Sequence, residues 1–156
     1  MAVVLQELGA NADRLLPVLD QLDVPAWLAK GASDTYVEQL ESSKQQTRAL
    51  ADEAKSLAHN PEKLSGTLQL FFRLQGVETM LNSLEEGARK YQSSRVAQSL
   101  AAMFGEGGAN RERLRTYIVN LAAEREYQFE VMDREAQRCR ATLMAPTPPP
   151  KTGRKK

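Results

Sequence analysis

Cysteine and histidine occur once each in this chain, as Cys139 and His59, and tryptophan once, as Trp27. A single cysteine excludes an internal disulfide framework, and one cysteine with one histidine excludes a Cys/His zinc site. No run of roughly 18 apolar residues is present, which excludes a transmembrane helix. An excess of one charge is also missing. The 21 Lys+Arg against 20 Asp+Glu leave a net charge of +1, without the basic face expected of a nucleic-acid-binding domain. The phosphate loop, GxGxxG, HExxH and GxSxG are all lacking, so none of the common nucleotide, zinc-protease or serine-hydrolase signatures is available. The Glu-x-x-His pairs of di-iron bundles are lacking too. His59 precedes Asn60-Pro61 and is expected at the surface, capping a helix end. Met1-Ala2-Val3-Val4-Leu5-Gln6-Glu7 has neither the positive start nor the long apolar stretch of a signal peptide. That leaves the compartment open: extracytoplasmic if an export signal has been removed ahead of it, otherwise cytoplasmic. Cys139 fits either.

The residues that are present fit one folded domain. The chain has 156 residues, 42% of them hydrophobic and 26% charged, as in soluble globular proteins. The charge is unevenly placed. Residues 151–156, Lys-Thr-Gly-Arg-Lys-Lys, hold four cations and no acid, and the preceding 150 residues carry 17 cations against 20 acids, a net −3.

Helical periodicity runs through most of the chain, and no segment reads as a strand. The first helix is expected over about 2–22, with Leu5, Leu8, Ala12, Leu15, Leu19 and Leu22 on one face and a kink or break at Pro17. A connector comes next, in which Pro25 opens a short helical turn and Gly31 closes it, with Trp27 sealing one end of the core. The second helix is expected over about 34–59. Thr35 and Glu38 have capping-box spacing, Ser33 and Asp34 compete as caps, and the apolar stripe is interrupted by Ser43 and Thr47. Asn60-Pro61-Glu62 predicts a stop and a restart, with Asn60 as cap and Pro61 in the first helical position. The third helix, about 61–91, carries Leu70, Leu74, Val77, Leu81, Leu84, Ala88 and Tyr91. Its face is widened by Leu64, Leu68, Phe71, Phe72 and Met80, which predicts the most buried helix. Gln92-Ser93-Ser94 is a tight turn into a fourth helix.

Gly105-Glu106-Gly107-Gly108-Ala109-Asn110 places three glycines in four residues, a cost of roughly 3 kcal/mol in a helix interior. The cluster predicts a break or sharp bend, with Asn110 capping the next helix. An unbroken helix over 94–144 would instead protrude from the bundle. The last helix, about 110–144, continues the stripe through Leu114, Ile118, Leu121, Arg125, Phe129, Met132, Ala136, Cys139 and Leu143. Arg125 either snorkels at the edge of the stripe or pairs with a carboxylate on another helix. Cys139 is expected as a buried thiol; if exposed, its neighbours Arg138 and Arg140 would favour an intermolecular disulfide.

The fold expected is therefore all-α: an antiparallel up-and-down four-helix bundle over 1–144, coiled-coil-like in its stripes, with a long C-terminal helix. Residues 145–156 form a disordered Pro/Lys/Arg tail. Pro146, Pro148, Pro149 and Pro150 favour extended polyproline II there and give a short Pro-x-x-Pro match. No catalytic, cofactor-binding or metal-binding residues are expected, and no small-molecule substrate is evident. A candidate interaction surface comprises Arg111, Arg113, Arg115, Arg134, Arg138, Lys151, Arg154, Lys155 and Lys156. Two functions fit. One is a non-enzymatic protein–protein interaction or scaffold module, with an unknown protein partner or a second copy. The alternative is weak, salt-sensitive binding of an anionic surface, nucleic acid or membrane lipid, through the tail and Arg111–Arg115. An enzyme would need carboxylates converging on a cavity near the Ser43/Thr47 layer.

Three stretches also carry a resemblance: Leu84-Glu-Glu-Gly-Ala-Arg-Lys-Tyr91, Ala109-Asn-Arg-Glu-Arg-Leu-Arg-Thr-Tyr117 and Glu130-Val-Met-Asp-Arg-Glu-Ala-Gln-Arg-Cys-Arg140. Together they resemble uncharacterised bacterial helical proteins that usually carry an export signal, over most of residues 5–143. The resemblance implies a helical fold and an extracytoplasmic home, and it brings no activity or site residues.

Overall fold

The computed structural model describes residues 1–149, and within them the secondary structure is six helices and no strand. They are α1 (Ala2–Leu19), α2 (Val24–Ala29), α3 (Thr35–Leu57), α4 (Leu64–Tyr91), α5 (Ser94–Gly105) and α6 (Gly108–Met144). The chain divides into two units, Met1–Leu121 and the residues from Ala122 onward. The first unit thus ends inside the stretch that the periodicity assigned to a single bundle.

In the first unit, α1, α3, α4 and α5 form a closed ring, each packed against the next and α5 against α1. Side-chain pairs give the directions. Lys55 pairs with Asp13, and Lys44 with Asp20 at 2.9 Å, so α1 and α3 run antiparallel. Arg73 on α4 reaches Glu53 at 2.7 Å, and Ser83 reaches Gln39 at 3.0 Å, so α3 and α4 also run antiparallel. Asn11 donates to the Met103 carbonyl at 2.8 Å, and Gln92 to the Gln21 carbonyl at 2.8 Å, which orients α5 against α1. The ring is an up-and-down four-helix bundle. The Lys44 ammonium hydrogen-bonds Asp20 and holds its carboxyl below the usual range.

Helix boundaries follow local chemistry, with some departures from the periodic reading. Pro17 lies inside α1 only two residues from its end, so the helix runs through it rather than breaking. The Asp23 side chain caps α2 by accepting from the Ala26 amide. Gly31, at φ 94°, supplies the left-handed residue that ends the connector. The Thr35/Glu38 capping box does not form. Ser33 Oγ accepts from the Thr35 amide at 3.4 Å instead. Asn60-Pro61-Glu62 is a turn, not a helix start. The Lys63 amide bonds the Asn60 carbonyl, and the first α4 bond runs from the Thr67 amide to the Lys63 carbonyl. His59 Nδ1 lies 3.1 Å from the Lys55 carbonyl, so its N–H caps the end of α3.

α1 is the most densely buried helix, with Leu5, Leu8, Gly9, Asn11, Ala12, Leu15, Val18 and Leu19 all inside over 18 residues. The expectation that the 61–91 helix would hold this place is corrected because Phe72 faces outward, 63% exposed. At one end of the bundle Trp27 is fully buried. Its ring meets Tyr36 edge-on at 5.3 Å between centroids and stacks with Tyr91 at 6.4 Å. Gly87 permits this approach, since a Cβ there would sit 2.7 Å from Trp27 Cζ3.

Ser43, Thr47 and Thr67 are buried among the apolar side chains. Ser43 and Thr67 donate to the Gln39 and Leu64 carbonyls. The Thr47 hydroxyl has no partner among the described residues. A buried hydroxyl without a hydrogen bond costs about 1–3 kcal/mol. Thr47→Val keeps the shape and removes the cost, and it should raise stability by about 1–2 kcal/mol in denaturant titration.

Candidate interaction surface

The glycine cluster decides where α6 starts. α5 ends at Gly105, a two-residue turn comes next, and the Gly107 carbonyl accepts the first α6 bond from the Arg111 amide at 2.9 Å. Gly107 is buried, and a Cβ on it would lie 2.8 Å from Asn11 Oδ1. Close approach to α1 therefore requires glycine there. The predicted break is present, but the Asn110 cap is corrected. Asn110 lies within α6, and its amide donates to Glu7 at 2.6 Å.

From this start α6 returns to the bundle through Leu121. Leu114 and Ile118 join the hydrophobic core, and Tyr117 Oη donates to the Pro61 carbonyl at 3.0 Å. These contacts place the first turns of α6 against the start of α1 and the α3–α4 turn.

The predicted surface arginines differ in their surroundings. Arg111 turns inward. Its guanidinium lies over the Phe104 ring, 3.9 Å from the centroid, and donates to the Phe104 carbonyl at 2.7 Å. Desolvation lowers its pKa from the usual arginine value, and the Glu78 charge opposes the shift. It ties off a carbonyl at the end of α5 instead of offering a free cation. Arg113 donates to Asn110 at 3.4 Å, and Arg115 pairs with Glu112 at 3.2 Å on its own helix. Arg134 pairs with Glu130 at 3.3 Å, and Arg138 is exposed. Arg111 to Arg115 belong to the first unit; Arg134 and Arg138 belong to the second. Lys151, Arg154, Lys155 and Lys156 lie outside the described residues, as does the expectation of disorder over 150–156; residues 145–149 carry no helix.

The second unit is described by itself. From Ala122 to Met144 its residues are helical, and none is buried; Ala122 and Val131 are partly covered. Phe129, Met132 and Leu143 are 72%, 66% and 86% exposed. Cys139 is exposed, which corrects the expectation of a buried thiol. The stripe is periodic as predicted, and its large apolar residues in this unit are exposed. Arg125 is exposed and donates to Gln128 at 2.9 Å.

Other features had no readable sequence signal. Gln92, expected only as a turn residue, accepts from the Asp23 amide and from Trp27 Nε1, both at 3.0 Å. Phe72 and Met80 line an open groove between α3 and α4, where Arg73 donates to both Glu53 oxygens and to Gln46. Such pairs join residues about twenty or more positions apart, beyond the reach of helical spacing rules. Ser43 and Thr47 are fully buried, whereas Glu53 is partly exposed and pairs with Arg73. Among the described residues no group of three or more His, Cys, Asp or Glu is placed to hold a metal ion, and no helix is long and apolar enough to cross a membrane. Set against protein-family models, curated proteins and solved structures, the chain shows no match to any of them, so its own side chains carry the functional argument.

Proposed function

We propose that the chain is a non-enzymatic interaction or scaffold module, in which the bundle carries a helix that docks another helix. The observation that supports this reading is the uncovered stripe of the second unit, where Phe129, Met132 and Leu143 share one helix face with Cys139. Isolated exposed apolar residues are ordinary, but a periodic stripe of large ones marks an interaction site. An amphipathic helix read through i, i+3, i+4 and i+7 anchors is a recurrent mode of recognition. The inward turn of Arg111 weakens the alternative, because it removes one of the three arginines of the anion-binding cluster.

The reading is tested with Phe129→Ser/Met132→Ser. Circular dichroism and the Tm should match the parent, since neither side chain is buried. Association with any helical partner, a second copy included, should be lost, and moderate salt or nuclease should leave the parent's association intact. Association that survives the double substitution but vanishes with salt or nuclease would overturn the reading in favour of an anionic surface.

A further inference from the structure

Resting on that reading, we infer that the partner of the 122–144 helix is a second copy of itself, aligned parallel and in register. Phe129, Met132, Ala136, Cys139 and Leu143 alternate steps of three and four, the spacing of a two-stranded coiled-coil seam. Gln128 and Glu135 flank the seam on one edge, and Asp133 and Arg140 flank it on the other. In a parallel pair each residue on the first edge faces the partner residue about five positions further along. Glu135 then meets the partner's Arg140, and the two-fold axis makes this ion pair twice. Gln128 meets the partner's Asp133 with a hydrogen-bonding match.

The antiparallel alignment that keeps Phe129 in a four-layer apolar seam is opposed by the same charges. Centring the seam so that Phe129 faces the partner's Cys139 sets Asp133 near the partner's Asp133 and Glu135 near the partner's Glu135. Like charges across the seam oppose that arrangement.

The intrachain pairing of the helix agrees with the parallel form. Glu130 pairs with Arg134, and Gln137 donates to Asp133, both at spacing i,i+4. Glu135 and Arg140 form no ion pair with each other or with any other described residue. They are the two charges that the parallel alignment joins. Arg125 stands on the seam before Phe129 and sets the limit of the apolar contact. Five seam layers, two of them small, give an association that depends on concentration. Cys139 lies at a seam position, where a parallel in-register alignment brings the two copies of the thiol together.

The experiment is sedimentation equilibrium of the full chain under reducing conditions, over a range from low to high micromolar. The parent should form dimers, and Met132→Asp should be monomeric throughout. Glu135→Arg and Arg140→Glu should each weaken the dimer by roughly tenfold, and the double variant Glu135→Arg/Arg140→Glu should restore it. A short bifunctional maleimide should cross-link the parent through Cys139, with Cys139→Ala dimerising but not cross-linking. A parent that is monomeric at every concentration overturns self-pairing. If that monomer binds another helical protein through Phe129 and Met132, the interaction reading stands and only the identity of the partner fails. Loss of both overturns the two together. A dimer that the double charge swap does not restore overturns the parallel register.

Discussion

Trp27→Ala should lower the stability of the first unit by about 3–5 kcal/mol, the range for deleting a fully buried large aromatic. Trp27 is fully buried and stands where α1 ends, α3 begins and α4 ends. The loss has three parts. The indole volume disappears from a packed site whose remaining rings, Tyr36 and Tyr91, are held by their own helices and collapse only partly. Two aromatic contacts go with it. Gln92 Oε1 also loses the indole N–H and keeps only the Asp23 amide. Trp27→Phe separates these parts, because it retains a ring and removes the donor. It should cost less than Trp27→Ala, with the hydrogen-bond share at about 1 kcal/mol. Urea titrations of both variants check the order; equal losses would mean that the ring volume contributes little.

Leu114→Ala should cost about 2–5 kcal/mol, while Phe129→Ala on the same helix should stay within about 0.5 kcal/mol of the parent. The contrast is large because the two residues share one stripe and differ in what covers them. Leu114 is fully buried in the core, and Phe129 is 72% exposed. Measurement at low concentration, where copies are dissociated, isolates the fold from association. A Phe129→Ala penalty as large as that of Leu114→Ala would show the second unit to be packed within the chain. Deletion of residues 122–156 should likewise leave the Tm of the first unit nearly unchanged, since every buried residue lies at or before Leu121 among the described residues.

Much of the fold was legible because it is written in local terms. Stripes such as Leu70, Leu74, Val77, Leu81 and Leu84 give helices by spacing alone, and all five are buried. Three glycines in four residues broke the helix where summed propensity said they should, and Gly31 closed the connector. The errors lay where two competing signals share the same letters. Asn60-Pro61-Glu62 suits a helix start and a turn equally, and the Tyr117 hydroxyl on the Pro61 carbonyl accompanies the turn. Phe72 fits a wide apolar face as well as a groove. The candidate surface was the least legible part. Arg111 and Arg115 look alike in sequence, but only Arg111 lies beside the open end of α5 and an aromatic ring that hold it inward.

The sequence by itself determined that the chain is helical, where most helices stop, and that one apolar stripe recurs from Leu114 to Leu143. These are properties of spacing and backbone freedom, felt within a few residues. Only the tertiary structure decided that burial along that stripe ends at Leu121. It also decided that Gln92 joins the connector to the core and that Cys139 faces solvent. Whether an apolar face is covered depends on which distant elements reach it, and periodicity carries no information about that.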